Sequence, residues 1–211
     1  MKKDELYNIA REAVREEELT SGEIPNIDLY VDQIINLIAD KNSQSAERYL
    51  DKQLTKTMIN NYSKDGLITP VKGKKYTKEQ IIQMLSIYTL KNTLSIGEIK
   101  RLMDGEYAID GYDGAALAET YDRYISIKHQ NREYSTEILT NLMEKNSLDI
   151  ESDRDFFVTV GALLSLSNSL KNIAQELIDV KYPQAVEEPE KAEKPKKEKK
   201  KKKTEPEVTG E

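Results

Sequence analysis

The 211-residue chain holds 32 Lys and Arg against 38 Asp and Glu, a net charge of −6, with 37% hydrophobic and 33% charged residues. A chain of this length builds one domain, or one domain with an appendage, and so low an apolar share leaves part of it outside any core. With no cysteine, disulfides, thiolate metal sites and cysteine nucleophiles are excluded, and a single histidine excludes histidine-rich metal sites and most histidine-based catalysis.

His129 stands in the polar run Lys128-His129-Gln130-Asn131, where a solvated surface position is expected. No apolar run approaches the ~18 residues that cross a bilayer, and no signal peptide opens the chain, so a soluble, cytoplasmic protein without membrane partners is expected. The charge is unevenly spread. Residues 48–101 hold eleven Lys and Arg against four Asp and Glu, a local +7, whereas the segments outside this stretch and the tail are strongly acidic. Steering a polyanion to one basic module is the simplest use of such asymmetry.

In chain order, residues 4–18 read as a charged helix with a thin apolar line of Leu6, Ile9, Ala10, Ala13 and Val14, broken at Thr20-Ser21-Gly22-Glu23. This arm is taken as 1–23. Ile24-Pro25-Asn26 then introduces a second helix, with Leu29, Val31, Ile34, Ile35, Leu37 and Ile38 forming a broad apolar surface. Residues 40–53 follow as a short helix or an extended turn.

The next helix, 56–65, has Thr55 as N-cap, with Leu54 and Ile59 at hydrophobic-staple spacing. Gly66 is placed to close it through a left-handed turn. Met58, Ile59 and Tyr62 share one arc; Lys56, Thr57, Asn60, Asn61 and Lys64 share the other, which contains no acid. Asn can pair with adenine, and Lys with phosphates or guanine. Leu67-Ile68 and Tyr76 flank Thr69-Pro70-Val71-Lys72-Gly73-Lys74-Lys75, which reads as a small β-hairpin with its tip near Gly73. Lys72, Lys74 and Lys75 make that tip electropositive, and Tyr76 completes its exit. Two capping boxes follow, Thr77–Gln80 and Ser95–Glu98, each opening a helix.

Gly66-Leu67-Ile68-Thr69-Pro70, then Lys74-Lys75-Tyr76 and the helix after it, resemble the winged helix-turn-helix of MerR-type regulators. The stretch LTKTMINNY, preceded by IPNIDLYVDQI, resembles an uncharacterised bacterial family, one of the domains of unknown function, with a MerR-like helix-turn-helix. The resemblance spans about residues 24–104 and implies a recognition helix in the major groove with a basic wing on the backbone. By it, Asn60 stands where MerR proteins usually have Arg, Asn61 where they have the first of two Tyr, and Tyr62 matches the second.

Beyond Met103, Asp104-Gly105 and Asp110–Gly114 mark a loop. Its spacing fails a calcium loop, with Ala108 at the fifth and Ala115 at the twelfth position from Asp104. No metal or other cofactor is expected. Residues 115–145 read as a helix with Leu117, Tyr121, Tyr124, Ile125, Ile138, Leu139 and Leu142 inward. Residues 152–180 read as another, apolar over more than one face. Such a helix is buried in a bundle or pairs with a partner; its heptads are too few for a long coiled coil. By the MerR resemblance, region 105–182 is where subunits dimerise or an effector binds, and a homodimer is expected. The tail, 183–211, contains KAEKPKKEKKKKK and is expected to be disordered, either a phosphate tether or a solubilising segment.

A mainly α winged helix-turn-helix that binds DNA as a transcriptional regulator is therefore expected, contacting it through Lys56, Thr57, Asn60, Asn61, Lys64, Lys72, Lys74, Lys75 and Tyr76. The alternative is a protein-interaction adaptor on the same fold. Nothing in the residues forms a nucleophile–base constellation, so no enzyme activity is expected.

Overall fold

The computed structural model describes residues 3–46 and 54–184, and among these it forms seven α-helices and one small sheet. The helices are α1 (Lys3–Ala13), α2 (Val31–Asn42), α3 (Lys56–Lys64), α4 (Lys78–Leu90), α5 (Ile96–Tyr107), α6 (Gly114–Asn146) and α7 (Asp153–Lys181). A short 3-10 turn covers Ser21–Glu23, and strands β1 (Leu29–Tyr30) and β2 (Lys75–Tyr76) pair antiparallel, Leu29 opposite Tyr76 and Tyr30 opposite Lys75. The second half of the link expected at 40–53, from residue 47, and nearly all of the Lys-rich tail, from residue 185, lie outside the described residues.

The centre is α4. Ile81, Ile82, Met84 and Ile87 are fully buried on it, so it is apolar around most of its circumference and has to lie inside. Around it one core gathers Ile34 and Ile38 of α2, Ile59 and Tyr62 of α3, Ile99 and Met103 of α5, and Leu117, Tyr121 and Ile125 of α6. Each aliphatic side chain buried in this way contributes about 1.5–3 kcal/mol. The expected capping boxes form. Thr77 Oγ1 accepts from Gln80 N and Gln80 Oε1 accepts from Thr77 N; Ser95 and Glu98 make the equivalent pair. The helix of 152–180 begins as expected behind Ser152, whose hydroxyl accepts from Asp155 N.

Several boundaries differ from those read in the sequence, each because a distant partner claims the chain. The first helix stops at Ala13, not 18. Beyond it the backbone unwinds so that Arg15 O accepts from Ala46 N (2.7 Å) and Leu19 O accepts from the Tyr121 hydroxyl (2.8 Å). Ser21 N and Oγ both donate to the Asp122 carboxylate, at 2.7 and 2.6 Å. Glu18, nearly buried, pairs with Lys128, His129 and Arg132 of α6, and Glu16 also takes Lys128. Burial alone would lower the Lys128 pKa, but the hydrogen bonds to Glu16 and Glu18 raise it above the ordinary lysine value. His129 is at the surface as expected, yet paired, with Nε2 3.0 Å from Glu18 Oε2.

The second helix starts at Val31, because Leu29-Tyr30 is taken by β2. Asp104-Gly105, expected in a loop, lies inside α5. Glycine costs about 1 kcal/mol against alanine within a helix. Here it permits a close approach: a Cβ on Gly105 would stand 2.2 Å from the Tyr182 ring. Arg101 holds the same end of α7, donating to Tyr182 O and to Asp179 at 2.6 Å each.

Candidate nucleic-acid interface

Helix α3 is built as its sequence dictates. Thr55 Oγ1 accepts from Met58 N at 3.3 Å, and the staple residues Leu54 and Ile59 are both buried. At its far end Gly66 adopts φ +69°, while Leu67 N donates to Tyr62 O and Gly66 N to Ser63 O. This double closure sends Leu67 and Ile68 into the core beside Tyr62. Burial pushes the Tyr62 phenol up to about 12, with the Tyr88 phenol adding to the effect.

With the apolar arc held inward, the opposite arc faces out. Lys56, Thr57, Asn60, Asn61 and Lys64 are all exposed, and no acid lies in the first turn. Lys72, Lys74 and Lys75 are exposed too; Lys75 Nζ sits 5.0 Å above the Tyr30 ring. Eight of the nine expected contact residues are thus at the surface. Tyr76 is not. At 8% exposure it belongs to the core, because its strand residue pairs with Leu29 and its side chain points inward.

The lysine-bearing segment is also not a closed two-stranded hairpin. Only Lys75–Tyr76 is strand, and its partner is Leu29–Tyr30 rather than Leu67-Ile68. Leu67 and Ile68 are consumed by the core, and Pro70 has no N–H for a ladder. Their neighbours bond to α4 instead. Gln83 Oε1 accepts from Thr69 N and Thr69 Oγ1, at 3.0 and 3.2 Å. Gln80 Nε2 donates to Thr69 O and Pro70 O, at 3.0 and 3.2 Å. The other end of the same amide, Gln80 Oε1, accepts from Thr77 N at 2.9 Å. One buried side chain therefore clasps both ends of the loop that carries Lys72, Lys74 and Lys75.

Sequence reasoning assigned Gln80 only to the capping box and missed Gln83. The available signal was a second glutamine three residues on, on the same helix face. It also missed Lys100 of α5, whose Nζ lies 3.5 Å from the Asp65 carbonyl at the C-terminal end of α3, where a cation complements the helix dipole. That placement depends on how α5 packs, and nothing local announces it.

A family model described as a domain of unknown function, DUF1836, matches residues 19–124, half of the chain, and the chain belongs to that family. No curated protein and no solved structure matches it.

Gln80→Glu separates the two tasks of this side chain. A carboxylate still accepts from Thr77 N, but it faces the Thr69 and Pro70 carbonyls without a donor. The expected result is a loss of about 1–3 kcal/mol in urea unfolding, with faster amide exchange at residues 69–75. Unchanged stability and exchange would show that the clasp contributes nothing.

Proposed function

We propose that this protein is a DNA-binding transcriptional regulator of the MerR-like winged helix-turn-helix type. In this scheme α2 supports α3, α3 enters the major groove, and the loop of residues 67–76 serves as the wing on the phosphate backbone. The observation that carries the proposal is the outward arc of α3, cations and amides without an acid, followed directly by a lysine loop tied to the core at both ends. Asn60 and Asn61 are suited to adenine edges and Lys72 and Lys74 to phosphates. Asn in place of the MerR arginine at position 60 points to a different base preference.

The partner in assembly is proposed to be a second copy of the chain. Leu163, Leu166, Leu170, Ile173, Leu177 and Val180 recur on α7 at alternating spacings of three and four, the seam of a short paired helix. Leu170, Ile173 and Leu177 are 56%, 57% and 65% exposed, an apolar row that the monomer leaves uncovered. A protein-interaction adaptor is the second proposal, favoured by that same row.

Fluorescence anisotropy across a salt series tests DNA binding. Lys72→Ala and Lys74→Ala should each weaken specific and random DNA alike and flatten the salt slope by about one unit. Asn60→Ala and Asn61→Ala should weaken a selected site more than random DNA. Equal losses on both DNAs would remove the asparagines from base readout, and no binding at low salt would move the adaptor to first place. Light scattering tests assembly separately. A dimer that Leu170→Glu with Ile173→Glu converts to monomer supports the seam, and a monomeric parent protein contradicts it.

A further inference from the structure

A cavity of about 450 Å³ opens between α4, α5, α6 and the end of α7. Its volume is within the range of small-molecule sites. Four tyrosines from three parts of the fold converge on it: Tyr112 from the turn before α6, Tyr121 and Tyr124 from α6, and Tyr182 after α7. Apart from Ser86 and Thr120, the rest of the lining is aliphatic, with one exception. Glu106 of α5 brings a carboxylate, while among the described residues no Lys, Arg or His lines the space.

The chemistry of these groups is set by their surroundings. The Tyr112 hydroxyl donates to Glu106 Oε1, and the Tyr121 hydroxyl is committed to the Leu19 carbonyl at 2.8 Å. Burial raises the phenols of Tyr112, Tyr121 and Tyr124 above their ordinary value, so they stay neutral at physiological pH. Neutral aromatic rings present negative faces that attract cations. Tyr182 is fixed at the edge by its approach to Gly105 and by the Arg101 bond to its carbonyl.

We propose that this cavity binds a small organic cation with an apolar body, a quaternary or tertiary ammonium compound. The rings and aliphatic wall take the apolar body, and Glu106 with the tyrosine faces takes the charge. Lys181 Nζ already stands 5.5 Å over the Tyr182 ring, so the charge falls to Glu106 and the faces of Tyr112, Tyr121 and Tyr124, while an anion would meet the carboxylate and no cationic side chain in the lining. The site stands whether or not α3 reads DNA.

The test is calorimetric titration of the full chain with benzyltrimethylammonium, with tyrosine ring NMR to locate it. Saturable one-to-one binding is expected, with shifts concentrated on Tyr112, Tyr121, Tyr124 and Tyr182 among the twelve tyrosines. Glu106→Gln retains an oxygen for the Tyr112 hydroxyl and should weaken binding about tenfold; Tyr124→Leu, which removes a ring, should do likewise. Benzylsulfonate should not bind. No saturation at millimolar concentrations, equal affinity for benzylsulfonate, shifts centred on other tyrosines, or unchanged affinity in both variants would overturn the proposal.

Discussion

The burial of α4 on nearly every side is the constraint from which the rest follows. A helix with Ile81, Ile82, Met84 and Ile87 spread around its axis has no face to give to water, so α2, α3, α5 and α6 must enclose it. Gln80 and Gln83 are carried into that interior as well, at 4% and 3% exposure. Buried amides without partners would cost several kcal/mol, and here they find them on the loop of Thr69 and Pro70 and at Thr77. Packing in the core is thereby converted into the position of a surface loop. The lysines of that loop are exposed, but the backbone that bears them is anchored from within.

A second set of interactions ties the N-terminal segment to α6. Ser21 on Asp122, Leu19 on Tyr121, and Glu16 and Glu18 on Lys128 and Arg132 hold the chain between α1 and α2 against that helix. The family match begins at residue 19 and ends at 124, close to the span from Leu19 to Ile125 over which the core cluster is nearly continuous. Beyond Ile125, α7 adds only Ile178 to that cluster. Most of α7 therefore stands apart from the family core and exposes an apolar row along its length. Its far end, held by Arg101 and seated on Gly105, closes one side of the tyrosine-lined cavity.

What could be read from the sequence was local. The N-cap at Thr55, the boxes at Thr77 and Ser95, the turn at Gly66 and the separation of apolar and polar arcs on α3 all depend on residues within one or two turns of each other. Each is present in the fold, and eight of the nine expected contact residues are exposed in consequence. What could not be read was set by partners far along the chain. The strand at Lys75–Tyr76 pairs with residues far earlier in the chain, Leu29 opposite Tyr76 and Tyr30 opposite Lys75, which places Tyr76 in the core instead of on the expected interface (so distant a partner carries no local signature). The chain beyond the early end of α1 and the close packing at Gly105 likewise involve residues far along the chain, Tyr121 and Tyr182 respectively.

The central claim is that the α3 face and the clasped lysine loop together form a DNA-binding surface. Amide hydrogen exchange of the full chain, with and without a duplex, tests it most directly. Slower exchange at residues 56–64 and 71–76 on adding DNA, with α7 unaffected, is the predicted result. Exchange unchanged in both segments while DNA is bound would contradict the account and place the contact elsewhere in the chain.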